Sequence, residues 1–252
     1  MTATDISFSD PEEIEPQQPK VVERYRAQEF STSYRLQVLI GRFADRAATA
    51  GVVALTILPF MLLGVLFVDV PARIFDGWAA MEGLRPSQWL SRGDLFMAVS
   101  IFMLTLMTRR HGGQVAVQAL SLAWIAVVGL SILMLIYLAP QLEAGDLPNG
   151  RYTLGFISGW YAAAFVAVSV YDLTRGSRWW RPPFLAIGAG LATQSVIYFF
   201  VVFAATGAPW IWWLGANLVT QLAMAGLFTL AYRFLRGRFR PRAGRASGYG
   251  GL

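Results

Sequence analysis

Carboxamide side chains stand inside the long apolar stretches of this chain, where polar groups are costly to bury. Gln194 lies near the middle of residues 183–205, a run without a charged residue. Asn217 and Gln221 are four residues apart in the next apolar run, so a helix would place them on one face. A carboxamide has two donor hydrogens and two acceptor lone pairs, which suit either the edge of an uncharged heterocycle or a bond to a neighbouring helix. The sequence leaves both uses open.

The other candidate site residues are those expected to surround the amides. Gln194 and Gln221 each lie about ten residues into an apolar run, so at about 1.5 Å per residue they reach similar depths. We therefore predict one central polar patch, with aromatic side chains nearby that stack on a bound ring. The predicted substrate-binding residues are Gln194, Asn217, Gln221, Thr193, Tyr198 and Trp160.

The residue types that are scarce exclude several kinds of chemistry. The chain has no cysteine and one histidine, His111, which excludes disulfides, thiolate catalysis and a haem held by two histidines of one chain. Asp94 and Asp172 stand at the ends of apolar runs, and no charged side chain or histidine lies in the middle of one. Intramembrane carboxylates usually mark proton relays, and hydrolysis needs a general base. The sequence therefore predicts no enzyme activity, no catalytic residue, no metal site and no cofactor.

The bulk composition predicts an all-α, polytopic membrane protein. Of the 252 residues, 56% are apolar and 14% are charged, whereas soluble domains carry about 25% charged residues. A membrane-spanning helix needs about 20 mostly apolar residues. Six segments come near this length, and they cover residues 49–68, 94–108, 115–139, 153–171, 184–205 and 211–232. The second segment is short, and we expect it to be tilted less or to extend into its flanks.

The arginines predict the orientation of these six spans. Basic residues collect before the first span, in every second connection and after the last span. Because positively charged flanks stay in the cytoplasm, six spans place both termini on the cytoplasmic side. The predicted location is the inner, cytoplasmic membrane of a bacterium. Membrane orientation thereby explains the net charge of +6, and no nucleic-acid partner is expected.

The chain divides by composition into four parts. Residues 1–30 are acidic and proline-rich, which predicts a disordered cytoplasmic tail. Residues 31–47 carry apolar side chains at helical spacing beside arginines, which predicts an amphipathic helix on the membrane surface. Residues 48–235 are the predicted six-helix membrane domain, and residues 236–252 a basic cytoplasmic tail. The segment 31–47 and the first span are the candidate surfaces for a protein partner.

Four sequence motifs in the second half of the chain carry a resemblance to a known family. They are a basic turn, MTRRHGG, a helix exit, SVYDLTRGSRWW, and two spans, ATQSVIYFFVVFA and LGANLVTQLAMAGL. In these motifs the chain resembles the VUT family of queuosine precursor transporters, over roughly residues 90–235. The resemblance implies a six-helix bacterial protein associated with uptake of 7-deazaguanine bases. The chain departs from the family where members carry acidic residues within helices, since residues 103–107 around Thr105, residues 162–164 and Ile197 or Tyr198 are neutral.

Two hypotheses for the function follow. The first is an inner-membrane permease for a small, uncharged, heterocyclic solute that is nucleobase-like or vitamin-like, with a 7-deazaguanine implied by the family resemblance. The alternative is a non-transporting membrane subunit or assembly factor of a larger membrane complex, which the absence of carboxylates from the span interiors favours. The lipid bilayer is a partner in both cases, and the permease also has a small-molecule substrate.

Overall fold

The computed structural model describes residues 32–79, 85–138, 140, 149–176 and 178–241, and these residues form an all-α structure. Six long helices lie in the described ranges. They are α1, Thr32–Leu66; α2, Arg92–His111; α3, Gly113–Leu138; α4, Gly150–Leu173; α5, Arg181–Phe203; and α6, Trp210–Leu235. Short helical turns at Arg73–Phe75, Asp76–Ala79 and Pro86–Gln88 lie between α1 and α2. The predicted all-α fold class is confirmed.

Five of these helices are long and apolar enough to cross a membrane. They are α3, α4, α5, α6 and the part of α1 from Leu39 to Leu66. The chain is therefore a polytopic membrane protein in contact with the lipid bilayer. Five predicted spans correspond to these helices, namely 49–68, 115–139, 153–171, 184–205 and 211–232.

The predicted second span is the exception to the six-span count. Residues 94–108 do form a helix, α2, but α2 is not among the described helices that qualify as spans by length and composition. The reason lies at its ends, because Arg92 and Asp94 begin the helix and Arg109 and Arg110 end it. The surrounding protein shields α2, since thirteen of its twenty residues are buried. Whether α2 crosses the membrane, and with it the side of both termini, stays a prediction.

The first helix joins the predicted surface segment and the first span in one continuous run, Thr32–Leu66. The chain divides into two compact units between Asp45 and Arg46. In the first unit, apolar side chains at helical spacing are exposed, namely Leu36, Leu39, Ile40 and Phe43. This pattern is typical of a helix that lies against lipid. The predicted tail 1–30 and residues 242–252 of the predicted tail 236–252 lie outside the described residues, and the predicted domain limits stay predictions.

Small residues bring the helices of the second unit close together. A Cβ at Gly190 of α5 would lie 2.9 Å from the carbonyl oxygen of Ala163 and 3.0 Å from the Cβ of Ala167, both on α4. Gly93, in the first turn of α2, lies equally close to the end of α1. Membrane helices associate through such close approach, because lipid provides no hydrophobic force between them. These glycines therefore set the spacing between α4 and α5 and between α1 and α2.

We expect Gly93→Ala to destabilise the protein. A Cβ at Gly93 would lie 2.6 Å from the carbonyl oxygen of Gly64 and 2.8 Å from the Cα of Val68, and backbone atoms have little room to move. Overpacking of this kind typically costs about 1–3 kcal/mol. The measurement is the free energy of unfolding in mixed detergent micelles.

Gly226→Ala on α6 is the matched control for this variant. No atom beyond the local helix backbone lies within 4 Å of a Cβ at Gly226, and alanine favours a helix over glycine by about 1 kcal/mol. The control should therefore be as stable as the parent protein or more so. Equal losses of stability in the two variants would contradict the close packing of Gly93.

Candidate functional site

A cavity of about 250 Å³ lies beside the connection between α1 and α2. The connection contributes Asp69, Gln88 and Trp89 to its wall, and α2 contributes Asp94. Aromatic side chains of α4, α5 and α6 complete the wall, and we call them the aromatic cluster: Tyr152, Tyr198, Phe199, Phe203 and Trp213. Small-molecule sites are usually mostly apolar with a few polar groups, and this wall combines aromatic rings with a larger share of polar side chains.

The aromatic cluster is connected by direct ring contacts. The ring centroid of Tyr198 lies 6.4 Å from that of Tyr152 and 5.6 Å from that of Phe199. Phe203 lies 6.3 Å from Tyr198 and 5.6 Å from Trp213, in both cases edge to face. Aromatic pairs at such distances stabilise a structure by about 0.5–1.5 kcal/mol beyond the burial of their area. Contacts among α4, α5 and α6 therefore hold the cluster in place.

Asp94 combines a structural role with a position in the cavity wall. The Ser91 N–H and hydroxyl donate to Asp94 Oδ2 at 2.8 and 3.0 Å, and Ser91 Oγ accepts from the Asp94 N–H at 3.1 Å. This reciprocal pair is a capping box, which satisfies backbone donors at the start of α2. The residue is 5% exposed, and Oδ1 takes part in neither bond from Ser91. Asp69 is the second carboxylate of the wall.

The connection between α1 and α2 is an ordered part of the site. Pro71 and Ser91 form an antiparallel bridge, and backbone hydrogen bonds of 2.8 and 3.0 Å extend it on either side. Farther along, Asp76 Oδ1 accepts from the Ser87 N–H at 2.9 Å. This hydrogen bond lowers the pKa of Asp76. Hydrogen bonds within the described part of the connection thus order it at two places next to the cavity.

Asn217 joins α6 to α5 and to the cavity wall. Its Oδ1 accepts from Ser195 Oγ at 2.6 Å, and its Nδ2 donates to the carbonyl oxygen of Trp89 at 2.7 Å. The side chain is 2% exposed. Since Trp89 lines the cavity, Asn217 positions part of the wall, and its amide is used within the protein.

Gln194 lies one helical turn from Tyr198 and is 1% exposed. Its Nε2 makes a long hydrogen bond of 3.5 Å to the carbonyl oxygen of Phe156. Its Oε1 has no hydrogen-bond partner among the described residues. The amide packs directly on α4, because a Cβ at Gly159 would lie 2.6 Å from Oε1. Gln194 therefore holds α4 through one weak hydrogen bond and keeps an unused acceptor.

The other three predicted residues are Gln221, Trp160 and Thr193. Gln221 is 1% exposed, and neither of its amide atoms has a hydrogen-bond partner in the described part of the chain. Trp160 Nε1 donates to Ser100 Oγ at 2.8 Å, which joins α4 to α2. The Thr193 hydroxyl donates at 2.8 Å to a carbonyl of its own helix. Gln221, Trp160 and Thr193 are not among the residues that line the cavity.

Of the predicted residues, Tyr198 lines the cavity and Asn217 contacts its wall. Solute binding by any of the six stays a prediction. Asp94 and Tyr152 also line the cavity and are not among the six residues predicted from the sequence. The Ser91-x-x-Asp94 spacing is a visible signal for the start of a helix, but no spacing links the members of the aromatic cluster, because they come from three helices.

A second polar cluster lies at the other end of α2. Arg109 Nη1 donates to the Tyr232 hydroxyl at 2.9 Å, and the hydroxyls of Tyr232 and Tyr171 are 2.8 Å apart. Arg175, just after α4, donates through Nη2 to the carbonyl oxygen of Thr108 at 2.8 Å. These bonds join α2 to α4 and α6. The C-terminal end of α2 is therefore held by side chains of other segments, whereas its own N-cap, Ser91, holds the Asp94 end.

The class of the protein follows from these helices. No protein-family model, curated protein or solved structure matches this chain. The fold defines it as an all-α, multi-pass membrane protein with five candidate spans in the described residues. One ordered cavity lies beside three of those spans, α4, α5 and α6.

We expect Asn217→Ala to loosen the connection between α1 and α2. The variant leaves the Trp89 carbonyl without its donor, and an unsatisfied buried group costs about 1–3 kcal/mol. Trypsin should therefore cut faster at Arg85 or Arg92 in the folded protein. Thr220→Ala is the matched control, because the Thr220 hydroxyl bonds within its own helix. Equal cleavage rates in the two variants would show that Asn217 does not hold the connection.

We expect Gln221→Leu to raise the melting temperature of the protein in detergent. Its amide is buried without a hydrogen-bond partner among the described residues, so leucine removes a penalty of about 1–3 kcal/mol. Asn217→Leu, one turn away on the same helix, should lower the melting temperature because it breaks two hydrogen bonds. A loss of stability in Gln221→Leu would mean that its amide has a partner in the folded protein.

Proposed function

We propose that the protein is a permease of the bacterial inner membrane that binds a small, ring-containing solute beside the aromatic cluster. The observation that carries the proposal is the cavity, which has a volume of about 250 Å³ and touches three candidate spans. Ligand pockets usually measure about 300–1,000 Å³. The cavity is slightly smaller than this range, so it fits a small molecule of one or two rings. Aromatic side chains bind such rings through stacked or edge-to-face contacts.

Beyond the cavity, polar side chains lie at successive turns of α5 and α6, where a transport path would run. On α5, Gln194 lies one turn beyond Tyr198, which is about 6 Å along the helix axis. On α6, Asn217 and Gln221 lie one and two turns beyond Trp213. Gln194 and Gln221 are buried and keep amide atoms without a hydrogen bond among the described residues. A solute that moves along α5 and α6 would meet these groups in turn.

The proposal includes a sixth crossing by α2. Its twenty residues extend about 30 Å, the thickness of the hydrocarbon core of a bilayer. Its polar ends have protein partners, Ser91 at one end and Tyr232 at the other. With six crossings, the arginine-rich connections lie in the cytoplasm with both termini, and the cavity opens on the outer side. The motifs that resemble the VUT family support the same arrangement and make a 7-deazaguanine base the first solute to test.

A second candidate function is that of a non-transporting subunit or assembly factor. The observation that favours it is the exposed apolar stripe of α1, formed by Leu36, Leu39, Ile40 and Phe43. Such an apolar stripe can be covered equally well by a helix of a partner protein or by lipid. Deletion of residues 31–47 separates the two functions. If the stripe binds a partner protein, the deletion should release that partner. If the stripe lies on lipid, the deletion should leave uptake of the solute unchanged.

The test of the permease is the queuosine content of tRNA in a bacterial strain that can neither make nor import the 7-deazaguanine precursor. With the base supplied, expression of this chain should restore queuosine. Tyr152→Ala should lower the initial rate of restoration about tenfold, since it removes a ring of the cavity wall and a contact of about 1.4 kcal/mol is worth that factor. Tyr137→Ala is the control, because this ring is 74% exposed on α3.

Both variants are compared at equal amounts of protein in the membrane. Restoration that is lost in Tyr152→Ala and kept in Tyr137→Ala supports transport through the cavity. Restoration by both variants at the parent rate would remove the cavity from the path. An absence of restoration, with the protein present in the membrane, would exclude 7-deazaguanine as the solute.

A further inference from the structure

We propose that the solute is an organic cation, a protonated amine or quaternary ammonium carried on an apolar ring, with Asp94 as its counter-ion. This inference rests on the proposed function, because it assigns the charge of the molecule that the cavity binds. It replaces the sequence-based expectation of an uncharged solute with a charged one.

The first observation is the charge of the cavity wall. Asp69 and Asp94 line the cavity, and no arginine, lysine or histidine is among the described residues that line it. The arginines of the described connection, Arg73, Arg85 and Arg92, are exposed and lie outside the wall. Asp69 is exposed, whereas Asp94 is buried, and a buried carboxylate keeps its charge only when it is paired or hydrogen-bonded. A positively charged ligand would provide the partner that the wall lacks.

The second observation is the geometry of Asp94. Its two hydrogen bonds from Ser91 both reach Oδ2, at 2.8 and 3.0 Å. Oδ1 is therefore available to a ligand while the capping box stays intact. An ammonium that donates to Oδ1 would form a charge-assisted hydrogen bond, which is stronger than a bond between neutral groups. Asp94 can thus cap α2 through Oδ2 and bind a ligand through Oδ1 at the same time.

The third observation is the aromatic cluster around the same cavity. The faces of tyrosine and tryptophan rings attract cations, and aromatic cages recognise ammonium groups in this way. Tyr152, Tyr198 and Trp213 provide such rings. A bare metal ion would instead require a shell of oxygen ligands. Aromatic rings together with carboxylates therefore distinguish an organic cation from a metal ion.

The test is a series of three ligands that share one aromatic ring and differ in charge. Benzylammonium, benzyl alcohol and benzoate are similar in size and carry charges of about +1, 0 and −1 at pH 7. Binding to the full-length protein in detergent is measured by isothermal titration calorimetry, with the heat of titration into empty micelles subtracted. We expect the dissociation constant of benzylammonium to be at least about tenfold lower than that of benzyl alcohol, and benzoate to bind more weakly than either.

A pair of carboxamide variants assigns the charge to Asp94. Asp94→Asn should weaken the binding of benzylammonium about tenfold and that of benzyl alcohol much less. Asp76→Asn is the matched control, because Asp76 lies in the same connection but is not a wall residue. If Asp94→Asn does not fold, the charge series on the parent protein still decides whether the cavity binds a cation.

The outcomes separate this inference from the proposed function. Equal dissociation constants for benzylammonium and benzyl alcohol would overturn the cation and leave the cavity as a site for neutral rings. Binding of none of the ligands would overturn both the cation and the ring-binding cavity. Tighter binding of benzylammonium that persists unchanged in Asp94→Asn would overturn the role of Asp94 as the counter-ion.

Discussion

The burial of α2 is the constraint on which the rest of the structure depends. This helix begins and ends with charged residues, and yet most of its length is enclosed by other helices. Charged groups in such a place need partners, because an unpaired charge away from water is very costly. Ser91 bonds to Asp94 at one end, and Tyr232 bonds to Arg109 at the other. The Asp94 contact caps the start of α2, and the Arg109 contact joins α2 to α6, which Tyr232 in turn joins to Tyr171 of α4.

The two ends of α2 differ in what they contain. At the Arg109 end, side chains of α2, α4 and α6 satisfy one another and close the structure. At the Asp94 end, the partners leave a cavity with carboxylates and aromatic rings in its wall. The cavity and the closed polar cluster thus lie at opposite ends of the same buried helix. In the proposed permease, a solute would enter at the Asp94 end, and the Arg109 end would have to open for its release.

The fold class and five spans could be predicted from the sequence, because long apolar runs have few alternatives to a membrane helix. Whether α2 is a sixth span could not be predicted in this way, because hydropathy evaluates one segment at a time and does not include the partners of its charged ends. Arg109 donates to Tyr232 and to the carbonyl oxygen of Phe239, which lie 123 and 130 residues farther along the chain. The same limit applies to the site. The depth of Asn217 follows from spacing, but its bond to Trp89 joins residues 128 positions apart. Spacing thus predicted which residues are buried, whereas packing decided which of them line the cavity.

The most direct measurement of the central claim, that α2 crosses the membrane, is the side from which its two ends react. The chain has no cysteine, so single substitutions can be labelled with a membrane-impermeant maleimide without a further background. Gln88→Cys, before α2, should react in intact spheroplasts. Arg110→Cys, at the end of α2, should react only after the membrane is opened. Reaction of both from the same side would contradict a sixth crossing and the path from the cavity that depends on it.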